Sequence, residues 1–246
     1  MFDRLPNSTR SLARATRVAL ALLCIVALPQ VAFGESGTKI WPLADVSGLR
    51  TSGVLIEPST IDGRKGVRVR LENDFDGGDA NTFAVLTDSD FRNGTIEVDL
   101  SSRVDPEAWF FIRWIARGFA GLVFRADTRG RFESLYVRPM NGRVDDETRR
   151  AHAVQYISYP DWDFRRFRDE SPGEYEGPAD IGPDEWIHMR IEVEGSLASL
   201  FLDDNEVPTL VVEDLKLGPD QHGQIGLWVG PGTIAHFSNL KITQRP

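Results

Sequence analysis

Five residues of this 246-residue chain combine useful side-chain chemistry with strand spacing: Arg125, Tyr136, Arg138, Gln155 and Trp228. Side chains alternate across a strand, so in Gly121–Arg125 the pair Leu122 and Phe124 takes one face, and Val123 and Arg125 take the other. In Glu133–Arg138, Leu135 and Val137 oppose Ser134, Tyr136 and Arg138, while Gln155 opposes Val154 and Tyr156. Trp228 likewise points away from Ile225, Leu227 and Val229. If these strands are neighbours, the five polar and aromatic side chains line one concave sheet face. Aromatic rings stack on the apolar faces of sugars, and Arg and Gln hydrogen-bond hydroxyls or a carboxylate in fixed geometry. The residue set therefore suits a carbohydrate ligand. The competing reading is a solvated face whose arginines pair with surface acids. Tyr159 and Trp162, from the long connection Ser158–Glu185, are expected at the rim.

Other chemistry is thinner. Glycoside hydrolysis needs paired carboxylates, and Glu97 and Asp99 share a face of the strand Gly94–Leu100. The third acid of an E-x-D-x-x-E signature is absent, because Ser102 stands in its place. A solvated strand face accounts for both acids. The four histidines, His152, His188, His222 and His236, lack metal-ligand spacing, although His236 is placed to reach the concave face. There is no G-x-S-x-G, no P-loop and no G-x-G-x-x-G. No cofactor is implied, with calcium as the one exception to weigh. Asp74, Asp76 and Asp79 lie in a Gly-rich, oxygen-rich stretch that lacks the EF-hand register, so an acidic turn is the plainer reading.

Short strands must carry these residues. Apolar alternation predicts strands at Val67–Leu71, Phe83–Leu86, Gly94–Leu100, Phe110–Trp114, Ala120–Ala126, Glu133–Arg138, Ala153–Ile157, Ile187–Glu194, Leu197–Leu202, Leu210–Val212, Ile225–Val229 and Ile234–Ile242. Turn residues separate them, including the Gly230-Pro231-Gly232 corner, and no window sustains a 3.6-residue apolar period. This pattern is all-β and excludes βαβ units. The Met189–Leu202 hairpin, followed by an acidic turn and Pro208, is common in sandwiches with a jelly-roll course. Met140–His152 and Ser158–Glu185 interrupt the regular spacing. The second holds five aromatic residues that must pack on something, as a lid over one end of the sheet or as cover for its edge.

Four Arg residues, then the apolar run Val18–Leu28 and Ala32-Phe33-Gly34, read as a secretory signal peptide over residues 1–34. Residues 35–246 are then a single exported domain, periplasmic or extracellular, with no membrane partner after signal cleavage. Cleavage would remove the only cysteine, Cys24, leaving 212 residues stabilised by one core without disulfides. It would also take the net charge from −9 to −12, which argues against nucleic acid as a partner.

The segments Phe91–Leu100, Gly121–Asp127, Tyr136–Pro139, Val154–Ile157 and Trp186–Gly195 together resemble the concanavalin A-like lectin/glucanase superfamily. Within it, they are similar to bacterial secreted 3-keto-disaccharide hydrolase-like domains. The resemblance covers about residues 50 to 245. It implies a jelly-roll β-sandwich of two curved antiparallel sheets with a sugar-facing concave side, and it places Arg125, Arg138 and Gln155 at polar positions of such domains. Because the superfamily mixes binders and enzymes, three functions are expected in order. The first is an exported carbohydrate-binding protein. The second is a glycan-active hydrolase or lyase using an acid such as Glu133 or Asp161, and the third is a protein-binding or structural envelope module.

Overall fold

The computed structural model describes residues 37–73 and 81–245. The expected signal peptide, with Cys24, and the acidic stretch with Asp74, Asp76 and Asp79, weighed above as a turn or a calcium site, lie outside the described residues. The chain folds as a jelly-roll sandwich of two antiparallel sheets, as the alternation requires. One sheet has eight strands. Its order is β13 (Leu210–Val212), β12 (Leu197–Leu202), β11 (Ile187–Glu194), β6 (Asn93–Val104), β15 (Thr233–Arg245), β4 (Arg64–Leu71) and β3 (Val54–Ile61), and β1 (Thr38–Trp41) also pairs with β15. The other has seven: β10 (Glu176–Gly177), β9 (Val154–Tyr159), β8 (Phe132–Val137), β7 (Ala120–Ala126), β14 (Gln224–Val229), β5 (Phe83–Leu86) and β2 (Leu49–Ser52).

Register carries the inward side chains into rows. Ile191 faces Ile96 and Leu200 on its neighbours, Met189 faces Val98 and Leu202, and all are buried while Arg190 and Glu192 are not. In the seven-stranded sheet the corresponding row is Ala84, Leu227, Leu122, Leu135 and Tyr156, each fully buried. These rows meet in one core. The seven-stranded sheet differs in having a second apolar layer on its outer face, made by Phe83, Val85, Val123, Ala126, Phe132, Tyr136, Ile157 and Trp228. Strands β5, β7, β8, β9 and β14 are therefore buried on both sides nearly throughout, and polar residues in them are enclosed rather than solvated.

The expected strands are present with one exception. Phe110–Trp114 is not a strand: the chain forms the helix α1 (Phe110–Ile115), with Arg113 N–H donating to Trp109 O (2.9 Å) and Ala116 N–H to Ile112 O (2.8 Å). Its aromatic content favours a strand, but a strand needs a partner, and α1 runs beyond the ends of β6 and β7. None of its residues is buried, and Phe110, Phe111 and Trp114 are more than 70% exposed. The Gly corner lies against it. Gly232 adopts φ +65°, and a Cβ there would stand 2.8 Å from the Ile112 side chain and 2.9 Å from Ala116 Cβ.

The two long connections contain α2 (Pro139–Gly142) and α3 (Glu147–Arg150), then α4 (Phe164–Glu170) and β10. Ser158–Glu185 packs along the edge of the seven-stranded sheet. Strand β10 extends the sheet by pairing with β9, and α4, capped by Asp163 through Arg166 N–H (2.9 Å), straddles the edge. Phe167 enters the main core while Phe164 packs on the outer layer. Among the described residues, no helix is long and apolar enough to cross a membrane.

Candidate functional site

Strand pairing draws a second row across the outer face of the seven-stranded sheet, in the order Phe83, Trp228, Gly121, Tyr136, Gln155, Glu176. Gly121 is the centre of this row. A Cβ there would lie 2.3 Å from Leu135 O and 2.5 Å from Tyr136 Cα. Its absence lets the Tyr136 and Trp228 rings approach to 4.7 Å between centroids.

Above this row opens a cavity of about 710 Å3. Phe119, Tyr136, Tyr159 and Phe164 supply aromatic wall, and Ile112 and Ile115 of α1 with Pro231 close one side. The polar lining is Arg117, Arg138, Asn141, Thr148, Arg149, His152, Arg165 and Arg168. Such a mixture of apolar wall and few convergent polar groups, within the usual ~300–1,000 Å3, is what small-ligand sites present.

The inner end of the cavity is held by one carboxylate. Glu176 is almost wholly buried; Arg168 donates to it from Nε (3.1 Å) and Nη2 (2.8 Å), and Arg138 Nη1 lies 3.6 Å away. Arg138 Nη2 also donates to Tyr136 Oη and Gln155 Oε1, both at 2.8 Å, and its Nη1 to His152 O (3.1 Å). His152 Nδ1 stands 2.6 Å from Glu176 Oε2 and 2.7 Å from Arg168 Nη2. Nδ1 therefore meets both an acceptor, Glu176 Oε2, and a donor, Arg168 Nη2; with its proton directed at the carboxylate, Nε2 is the basic nitrogen. Burial lowers the pKa of His152; Glu176 works to raise it, and Arg168 and Arg138 add to the lowering. The imidazole is therefore neutral at pH 7.

The structure sorts the expected site residues. Tyr136, Arg138 and Tyr159 line the cavity, with Tyr159 stacked on Phe132 at 5.1 Å. Gln155 and Trp228 lie on the expected face but beneath its surface, both fully buried, so they support the floor instead of forming a wall. Two placements are corrected. Arg125 is on the opposite side of the sheet: the register shifts between Gln224 and Gly226, Arg125 takes φ +54°, and Ala126 recovers the outer face. This bulge reverses the alternation and turns the guanidinium inward. It donates to the carbonyls of Arg92 (2.8 Å), Gly195 (2.7 Å) and Gly218 (3.1 Å). Trp162 is not at the rim either. It stacks on Phe167 (5.3 Å) against the main core, between Arg166 and Lys216.

The alternative acids fall elsewhere as well. Glu133 is buried on the core side, bonded to Tyr156 Oη and to Leu217 N–H (2.8 Å), and burial raises its pKa. Asp161 is exposed and lines no part of the cavity. Glu97 and Asp99 sit on the eight-stranded sheet, where Asp99 bonds His188 (2.8 Å) and Asn239 (2.8 Å) and Lys241 pairs with Glu97 (2.7 Å). His236 belongs to that sheet too, on β15. Among the described residues, no group of three or more His, Cys, Asp or Glu side chains is placed to hold a metal ion.

Sequence reasoning missed Arg117, Asn141, Arg149, His152, Arg168 and Glu176. One signal was available. Asp163-Phe164-Arg165-Arg166-Phe167-Arg168 is an N-cap followed by residues at i, i+3 and i+4, a helix start that would have put Phe164 and Arg168 on adjoining faces. The others converge only through tertiary contacts.

Solved structures resemble this chain to different degrees. A Bacillus subtilis protein of unknown function with a galectin-like fold is 16% identical, with 86% of this chain and 98% of that chain covered and a TM-score of 0.52. The carbohydrate binding module CBM66 of Bacillus subtilis is 20% identical, with 79% and 98% covered and a TM-score of 0.47. A Bacillus licheniformis β-glucanase is 12% identical, with 86% and 100% covered and a TM-score of 0.47. A search of functionally curated proteins gave no match. The cavity, both long connections and every strand from β3 to β14 fall within residues 50–243, which match one family model, and the chain belongs to the 3-keto-alpha-glucoside-1,2-lyase-like domain family.

Proposed function

We propose that the domain binds a carbohydrate in the cavity over the outer face of the seven-stranded sheet, and that it does so outside the cytoplasm. The carrying observation is the lining itself. Aromatic rings from three separate connections and strands converge with Arg138, Asn141 and Arg149 on one enclosed space. Membership of a family named for a sugar substrate supports the reading, as does the basic-then-apolar N-terminal segment for export. The sugar ring would stack on Tyr159 and Phe119, and Arg149 would reach its hydroxyls, over a floor in which Arg138 is held by Tyr136, Gln155, His152 O and Glu176.

One observation favours a second reading, catalysis. His152 is neutral, faces the cavity and is oriented through Nδ1 by a buried carboxylate. A 3-keto glycoside has an acidified proton on carbon 2. Nε2 would take that proton, the C2–H electrons would form the C1–C2 double bond, and the C1–O bond would break with the imidazolium returning the proton to the leaving oxygen. A guanidinium beside the ketone would stabilise the enolate charge.

A thermal-shift and calorimetric panel of neutral and 3-keto disaccharides tests both. Binding is expected, weakened about tenfold by Tyr159→Ala or Phe119→Ala with the fold retained. Absence of binding to every saccharide would overturn the proposal. Product release from a 3-keto disaccharide, lost in His152→Ala, would establish the second reading.

A further inference from the structure

The charges around the cavity do not balance. Its lining has five arginines and a histidine but, among the described residues, no Asp or Glu. Glu176, behind the lining, compensates Arg138 and Arg168, and Asp163 lies 3.8 Å from the exposed Arg165. Arg117 and Arg149 have no such partner: neither makes an ion pair with any described residue. Arg117 Nη1 donates only to the carbonyls of Trp114 (2.9 Å) and Ala116 (2.7 Å). Arg149 donates from Nε to Asn141 Oδ1 (3.2 Å) and from Nη2 to Met140 O (3.0 Å). Neutral acceptors thus aim both guanidiniums without discharging them.

Scarcity of acids does not explain this. The chain has 37 acidic residues against 28 Lys and Arg. Other arginines do find carboxylates: Arg143 pairs with Asp180 and Glu185, and Arg131 with Asp127. Burial lowers the pKa of Arg117, and its neighbours Arg149 and Arg138 lower it further, which is the signature of crowded like charges. One glutamate at a lining position would relieve that repulsion. A ligand that brings its own negative charge would do the same.

We propose that the sugar taken by this cavity is anionic, bearing a carboxylate or a sulfate ester that is received between Arg117 and Arg149. This rests on the carbohydrate reading above and narrows it to a substrate class. Planar guanidinium forks match both groups, pairing two N–H donors with two oxygens. Phe119, two residues after Arg117 in the chain, and Phe164 provide the apolar contact that a free inorganic anion would not use.

The test is titration calorimetry at fixed salt with four matched ligands: a neutral disaccharide, its uronic acid, the methyl ester of that acid, and its sulfate ester. Inorganic sulfate is the control. The acid or the sulfate ester is expected to bind at least tenfold tighter than the neutral sugar and the methyl ester, and which one does so identifies the anion. Arg117→Gln and Arg149→Gln should each remove most of that preference. If Arg117→Gln fails to fold, Arg149→Gln on the partly exposed α3 carries the comparison. Equal affinity for the acid, the methyl ester, the sulfate ester and the neutral sugar overturns the anionic assignment and leaves the carbohydrate reading intact. Inorganic sulfate binding as tightly as the sulfated sugar also overturns it. No binding by any saccharide overturns both.

Discussion

His152 and His236 show how one residue type acquires different roles from its surroundings. Burial lowers the pKa of both, but His152 is braced by Glu176 at a cavity, whereas His236 contacts Ser59 Oγ (3.0 Å) on the far sheet. Burial first, then Arg68 and Arg103, bring the His236 pKa down to about 4. The unfolded chain binds a proton near its ordinary value of 6.5, so between about 6.5 and 4 the unfolded state holds more protons. Stability must therefore fall as pH falls through that window. Allowing for solvent screening, the loss from this group is about 2 kcal/mol. Urea unfolding at pH 7 and pH 4.5 should show His236→Gln losing less stability than wild type by that amount; equal losses would contradict it. Tyr136 and Arg138 were legible as cavity-facing residues because alternation and residue type agree there, and Tyr159 because it opens the long connection. His152 was not, since nothing in its local sequence announces a carboxylate brought in from β10.

Among the elements, β7 is where alternation both succeeds and fails. Leu122, Val123 and Phe124 follow it, then the bulge at Arg125 breaks the count, and a sequence carries no mark of which strand residue will be left unpaired. The same strand contains Gly121, whose missing side chain lets two aromatics from neighbouring strands share the space above it. Gly121→Ala must push backbone atoms of β8, which cannot move aside as a side-chain end can. Destabilisation of about 3 kcal/mol is expected from overpacking. The tryptophan fluorescence of Trp228 should change with it, because the cavity floor is displaced. A variant as stable as wild type, with an unchanged spectrum, would mean that the row is looser than described. The failure to read α1 as a helix has a related cause. Its residues favour strands locally, but a strand exists only when another strand is there to pair with it.

For the molecule as a whole, the fold was legible because both sheets bury one face and period-2 alternation records that directly. The outer layer of the seven-stranded sheet was less so. A strand covered on both faces reads as continuous apolar text, and its polar residues look exposed when they are enclosed. That is why Gln155 seemed a ligand contact and is instead part of a floor.

The inward turn of Arg125 has a dynamic consequence. Its guanidinium gathers the start of β6 at Arg92, the β11–β12 turn at Gly195 and the loop before β14 at Gly218, so one end of the sandwich is clamped across both sheets by a single side chain. The other end, where β7 begins, carries α1, which has no buried residue to anchor it. Local opening should be graded along the strands. In hydrogen–deuterium exchange the amides around Gly195 and Gly218 should be protected for far longer than those of 110–116, whose few hydrogen bonds face water. Uniform protection across the two ends would refute the gradient. A domain clamped at one end and loose at the other can admit a ligand at the loose end without the sandwich itself having to breathe.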